Sequence, residues 1–182
     1  MKQLILGNEA VARGLYEAGC CVVSSYPGTP STEITECVAK FPEVYAGAEV
    51  AYFSGISRCE WMEKLCLQGT RIMLVEMPFE RWSENVVDEL LDIKSGLGII
   101  PVIAHIERYF PDQPKEFIDE LFNQEVLIQV NAESFLNAKI RNRALSLLKE
   151  GQIDFIGSDC HDLVSRAPNL GDASRIIEKK LG

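Results

Sequence analysis

Short apolar runs that end in a polar residue recur along the chain, and the stretches between them carry apolar residues at helical spacing. Gln3-Leu4-Ile5-Leu6 reads as a first strand, turned by Gly7-Asn8 into a helix with Ala10, Val11, Leu15 and Ala18 on one face and Gly19 as its C-cap. Cys20 to Ser24 is the next strand, and Tyr26-Pro27-Gly28-Thr29-Pro30 is a rigid loop. Ser31-Thr32-Glu33 then opens a helix that Pro42 stops beyond Lys40. Val44 to Val50 is strand-like and contains Glu49, a helix is expected around Ser57 to Cys66, and Ile72 to Val75 runs into Glu76. Ser83 opens a helix closed by Gly96 and Gly98, Pro101 to Ala104 runs into His105, and Pro114 starts a helix through Phe122. Leu127 to Val130 runs into Asn131, and a helix from about Ala132 to Glu150 ends at Gly151. The strand before Asp159 and a helix near Asp172 to Lys180 finish the chain. Strands alternating with helices predict a parallel α/β fold.

The candidate chemistry sits at the strand ends. Phe155-Ile156-Gly157-Ser158-Asp159-Cys160-His161-Asp162 is an apolar run that closes in an Asp-x-His pair, with Arg166 behind it. Residues i and i+2 of an extended chain point to one side, so Asp159 and His161 can reach one ion. A carboxylate beside an imidazole suits Zn, Fe or Mn. An exposed turn or a helix cap is the alternative for such a pair standing alone. His105, followed by Glu107 and Arg108, occupies a similar strand end, so both histidines of the chain are placed this way. In a barrel of parallel strands such ends converge on one face, which predicts a shared site.

Composition narrows the partners. The 182 residues are 47% hydrophobic, enough for a folded core, and carry a formal net charge of −9. That charge argues against nucleic acid and anionic membranes, while local arginines can still hold a phosphate. Six cysteines without a CxxC pair point to a reducing cytoplasm, and neither a signal-peptide pattern nor a bilayer-spanning run is expected.

Five segments in order carry a resemblance: G-A-E-V from Gly47, G-T-R-I-M-L-V-E-M-P-F from Gly69, I-P-V-I-A-H-I-E-R-Y from Ile100, Q-V-N-A-E-S-F from Gln129, and I-G-S-D-C-H-D-L-V-S-R-A-P-N-L from Ile156. From about Gly47 to Gly182 the chain resembles the PHP-family metal-dependent protein-tyrosine phosphatases of bacterial capsule and exopolysaccharide loci. The resemblance implies a distorted β/α barrel, usually with manganese. Its metal ligands would be Glu49, Glu76, His105, Asp159 and His161, and its phosphate-binding arginines Arg108 and Arg166. His161 is also a candidate donor to the leaving oxygen. The implied partner is a phosphotyrosine protein, a capsule-locus tyrosine kinase. By residue type alone, the two arginines read first as surface ion pairs, and it is the family resemblance that favours the phosphate role.

The amino end departs from that family, whose members open with an H-x-H ligand pair, whereas no histidine precedes His105 here. Leu6-Gly7-Asn8-Glu9-Ala10-Val11-Ala12-Arg13-Gly14 and Ser25-Tyr26-Pro27-Gly28-Thr29-Pro30-Ser31-Thr32-Glu33 instead resemble the start of the α subunit of indolepyruvate:ferredoxin oxidoreductase, a thiamine-diphosphate enzyme. In that alignment Thr29 falls in a loop near substrate. The expected organisation is a βαβα segment at 1–46 followed by an incomplete PHP-like barrel at 47–182, joined near Val44 to Gly47. One diverged family with an unusual amino end is the plainer alternative. Thiamine diphosphate is not expected, because the chain holds less than one of the two domains such a site needs, and Glu49 and Glu60 stand in the wrong context. Glu9, Glu33 and Glu36 read as helix-surface charges. The expectation is a phosphomonoester hydrolase weakened by the missing H-x-H pair. A fragment of the thiamine enzyme and a non-catalytic hybrid are the competing readings.

Overall fold

The computed structural model describes residues 4–28, 31–124, 126–161 and 164–182. Gln3, Thr29 and Asp162 of the sequence reading lie outside them. The chain divides into two compact units, Met1–Glu76 with Val86–Pro101, and Met77–Asn85 with Val102–Gly182.

In the first unit, helix α1 (Gly7–Glu17), strand β1 (Val22–Ser25), helix α2 (Ser31–Val38) and strands β2 (Tyr45–Ala51) and β3 (Ile72–Glu76) follow one another. β1 pairs with β2 and β2 with β3, all parallel. The amino-terminal strand expected at Gln3 to Leu6 does not form over its described part. Leu4 and Leu6 are exposed, and the Leu6 N–H caps α1 by donating to Glu9 Oε2 at 2.9 Å. A strand needs a ladder partner, and this stretch is drawn into the helix cap instead. α1 ends as expected: Gly19 adopts φ +80°, its N–H donates to Tyr16 O, and the Cys20 N–H donates to Leu15 O, the paired bonds of a Schellman cap.

The helix expected at Ser57 to Cys66 is instead two 3-10 segments, Ile56–Arg58 and Glu60–Leu65. The extended backbone of Cys59, at φ −91° and ψ 93°, interrupts the α-helical run. The returning chain passes close to β2, where a Cβ on Gly47 would stand 2.9 Å from the Leu67 side chain. Only glycine fits that approach. Helix α3 (Glu84–Leu97) carries Glu89, which accepts from the Tyr52 hydroxyl at 2.7 Å and the Gly55 N–H at 2.6 Å. Burial, and then the bond to Glu89, push the Tyr52 hydroxyl up to about 12.

The second unit contains strand β4 (Ile100–Ile103, from Val102 onward), helix α4 (Lys115–Leu121), strand β5 (Leu127–Asn131), helices α5 (Glu133–Leu136) and α6 (Arg141–Lys149), strand β6 (Phe155–Gly157) and helix α7 (Leu170–Leu181). β4 pairs with β5 and β5 with β6, again parallel. The single helix expected over 132–150 is broken into α5 and α6. Asn137 turns extended at ψ 115°, and its Oδ1 accepts the Lys139 N–H at 3.0 Å. The Arg141 guanidinium closes the break by donating to the Phe135 and Leu136 carbonyls at 2.7 and 2.6 Å, satisfying the open end of α5. Ile103, Ile106, Tyr109, Ile118 and Phe135 are buried in this unit. The Tyr109 hydroxyl accepts the Met77 N–H at 2.9 Å, and Trp82 packs edge-on against its ring at 5.0 Å.

Candidate metal centre

Glu49 lies in β2 and Glu76 ends β3. The register sets Ala51 opposite Glu76. Glu49 is two residues before Ala51, so the two carboxylates leave the same side of neighbouring strands. His105 follows β4 with φ +34°, a left-handed conformation uncommon for a residue with a Cβ, and it is only 2% exposed. Its backbone N–H donates to Gln129 Oε1 at 2.5 Å, and the Phe79 ring stacks on its imidazole with centroids 5.9 Å apart.

Glu49 and Glu76, both in the first unit, each bring a carboxylate oxygen within 4.8 Å of the other's. Two carboxylate oxygens can contribute to a mixed oxygen and nitrogen set that suits Mn, Fe or Zn. Asp159 and His161 lie in the second unit, as His105 does. The Asp159 carboxylate receives the Arg108 and Arg166 guanidiniums, both on Oδ2, and the Asn131 side-chain amide on the same oxygen at 3.0 Å. Asp159 also has positive φ, at +49°. The His161 ring is half-exposed, with Nδ1 2.9 Å from the Asp159 carbonyl oxygen and 3.6 Å from its Oδ1. The His161 N–H donates to Arg166 O at 2.9 Å and closes the loop behind the strand end. Arg108, Asp159 and Arg166 therefore meet.

Gln129, Asn131 and Glu107 were not singled out by sequence as site residues. Gln129 Nε2 donates to Asn131 Oδ1 at 3.0 Å, and both oxygens of Glu107 receive the Asn131 backbone N–H at 3.3 Å. Burial raises the Glu107 carboxyl above the usual carboxylate range, only partly opposed by backbone donors and by His105 and Arg108. The available signal was two amides at alternate positions in an otherwise apolar strand, which places them on one face.

Residues 30–182 match the family described as "Capsular polysaccharide synthesis, CpsB/CapC". The chain belongs to the CpsB/CapC family. Tyrosine-protein phosphatase CpsB of Streptococcus agalactiae is 31% identical over 155 residues, covering 77% of this chain and 61% of that protein. The chain thus spans about three fifths of the length of these CpsB/CapC relatives. The solved structures of YwqE from Bacillus subtilis and CpsB from Streptococcus pneumoniae, described as metal-dependent tyrosine phosphatases, match with a TM-score of 0.71 at 21% identity. That likeness covers 96% of this chain and 79% of the solved one, and it shows the fold, α/β in the manner of an incomplete PHP-like barrel. The second resemblance is also borne out. Indolepyruvate oxidoreductase subunit IorA of Archaeoglobus fulgidus is 55% identical over 38 residues, which are 21% of this chain and 6% of that protein. Among the described residues, no helix is long and apolar enough to cross a membrane.

Proposed function

We propose that the chain is a metal-dependent phosphomonoester hydrolase acting on protein phosphotyrosine, with a capsule-locus tyrosine kinase as its partner in the cytoplasm. The observation that carries the reading is the approach of the Glu49 and Glu76 carboxylates to within 4.8 Å of each other in a member of the CpsB/CapC family. Glu49, Glu76 and His105, the ligands that the family resemblance implies, would hold a divalent cation, manganese by preference, with Asp159 and His161 as further ligands. A cation there supplies Lewis acidity toward water and the phosphoryl group.

The protein's own part is positioning and charge. Arg108 and Arg166 would take the phosphoryl oxygens, since a guanidinium fork matches paired oxyanions. Both guanidiniums already meet on one carboxylate oxygen, the kind of acceptor a phosphate presents. His161, half-exposed beside Asp159, would donate to the leaving phenolate oxygen. No histidine precedes His105, so the family's H-x-H ligands have no counterpart in this sequence, and turnover should be weak.

The test is hydrolysis of a phosphotyrosyl peptide with manganese and with chelator, beside a thiamine diphosphate titration. Slow release of phosphate that needs manganese and stops in Arg108→Ala supports the proposal. Thiamine diphosphate binding without hydrolysis would overturn it.

A further inference from the structure

Gln129 lies in β5 opposite Phe155 of β6, in a strand whose neighbours Ile128 and Val130 are buried and apolar. It is only 7% exposed. Packing alone favours leucine at such a position, because a buried amide without partners is costly. The Gln129 amide has partners on both ends. Oε1 accepts the His105 N–H at 2.5 Å, and Nε2 donates to Asn131 Oδ1 at 3.0 Å. With a donor facing its oxygen and an acceptor facing its nitrogen, the amide has one satisfied orientation.

That orientation passes along the strand ends. Asn131 Oδ1 is taken by Gln129, so Asn131 presents Nδ2 to Asp159 Oδ2 at 3.0 Å. The same glutamine holds the N–H of His105 in its left-handed conformation. Room for the amide comes from β6, since a Cβ on Gly157 would stand 2.6 Å from Gln129 Nε2. We infer that Gln129 is a positioning residue of the metal centre, fixing His105 directly and Asp159 through Asn131, in a slot that Gly157 keeps open. The inference rests on the reading that His105 and Asp159 serve a cation.

The experiment is calorimetric titration of manganese into the full chain, for the wild type, Gln129→Leu, Gly157→Ala and the core control Val130→Ala. Partners of metal ligands typically contribute 10- to 100-fold in affinity, so Gln129→Leu should bind manganese at least about tenfold more weakly. Its His105 amide proton, expected downfield in the wild type because of the bond to Gln129, should move upfield in NMR spectra. Gly157→Ala, which keeps every polar group but crowds the amide, should shift affinity the same way by less. Val130→Ala should lower the melting temperature and leave affinity unchanged, which separates positioning from loss of stability. Wild-type affinity in a folded Gln129→Leu protein would overturn the inference and leave the metal reading standing. If Gln129→Leu does not fold, unchanged affinity in Gly157→Ala overturns it. No manganese uptake by the wild type would remove the metal reading itself.

Discussion

Residues 4–46 gather around a small apolar cluster in which Ala12, Val38 and Val44 are covered while Leu15, Tyr16 and Phe41 are only partly so. Leu4, Leu6, Val11, Val22 and Tyr45 of the same stretch remain exposed. Between His105 and Ser134 the burial is of another kind. Every buried polar side chain among the described residues lies there, namely His105, Gln113, Gln129, Asn131 and Ser134, set among covered residues such as Ile106, Tyr109 and Ile128. The first region relies on non-directional apolar contact, which tolerates substitution and fixes little geometry. The second holds a chain of buried amides and charges that functions only if each member is satisfied. Changes in the first region should therefore alter stability alone, and changes in the second should alter chemistry.

The largest expected effect breaks the second region's chemistry without unfolding it. Arg108→Ala or Arg166→Ala should lower phosphotyrosyl hydrolysis about 100- to 1,000-fold, the scale for removing one preorganised donor to developing charge. Manganese affinity measured calorimetrically should stay within a few-fold of the wild type. Equal loss of binding and turnover would instead make the arginines structural.

The next pair sharpens the contrast in stability. Phe135→Ala, in the covered core of the second unit, should cost about 3–5 kcal/mol in urea unfolding. Val38→Ala, in the small cluster of the first, should cost no more than about 1.5–3 kcal/mol. Equal costs would erase the difference between the two kinds of packing.

A smaller effect depends on pH. Burial raises the Glu107 carboxyl, so its contribution to stability is complete below the ordinary carboxylate pKa of about 4.3 and is lost as pH climbs through the raised value. Glu107→Gln removes that titration and still offers an oxygen to the Asn131 N–H. Its melting temperature should gain on the wild type as pH rises from 4 to 7, and a gap constant across that range would contradict the assignment.

The strand ends were legible because each apolar run stops at a polar residue, which marks Glu76, His105, Asn131 and Asp159 in the sequence itself. The break between α5 and α6 was not, because apolar periodicity runs on across Asn137. The interruption depends on the Arg141 side chain reaching back to two carbonyls. The first strand failed for a related reason, since apolar β-formers at Leu4 to Leu6 carry no information about a partner to pair with. Within the site, residue types at strand ends were readable but their partners were not. Arg108 and Asp159 are 51 positions apart, and only the fold brings the guanidinium to that carboxylate. Gln129 acquires its role from register, which leaves Gly157 beside its amide.

Manganese binding compared across three proteins tests the central claim most directly: the wild type, His105→Ala in the second region and Glu33→Ala in the first. Glu33 lies in the first turn of α2, where its carboxylate accepts from the Asn8 side-chain amide. The account predicts about one ion per wild-type chain, since a mixed oxygen and nitrogen set of this kind accepts a divalent metal. It predicts no measurable binding in His105→Ala and wild-type binding in Glu33→Ala. Manganese binding that survives His105→Ala unchanged would contradict it.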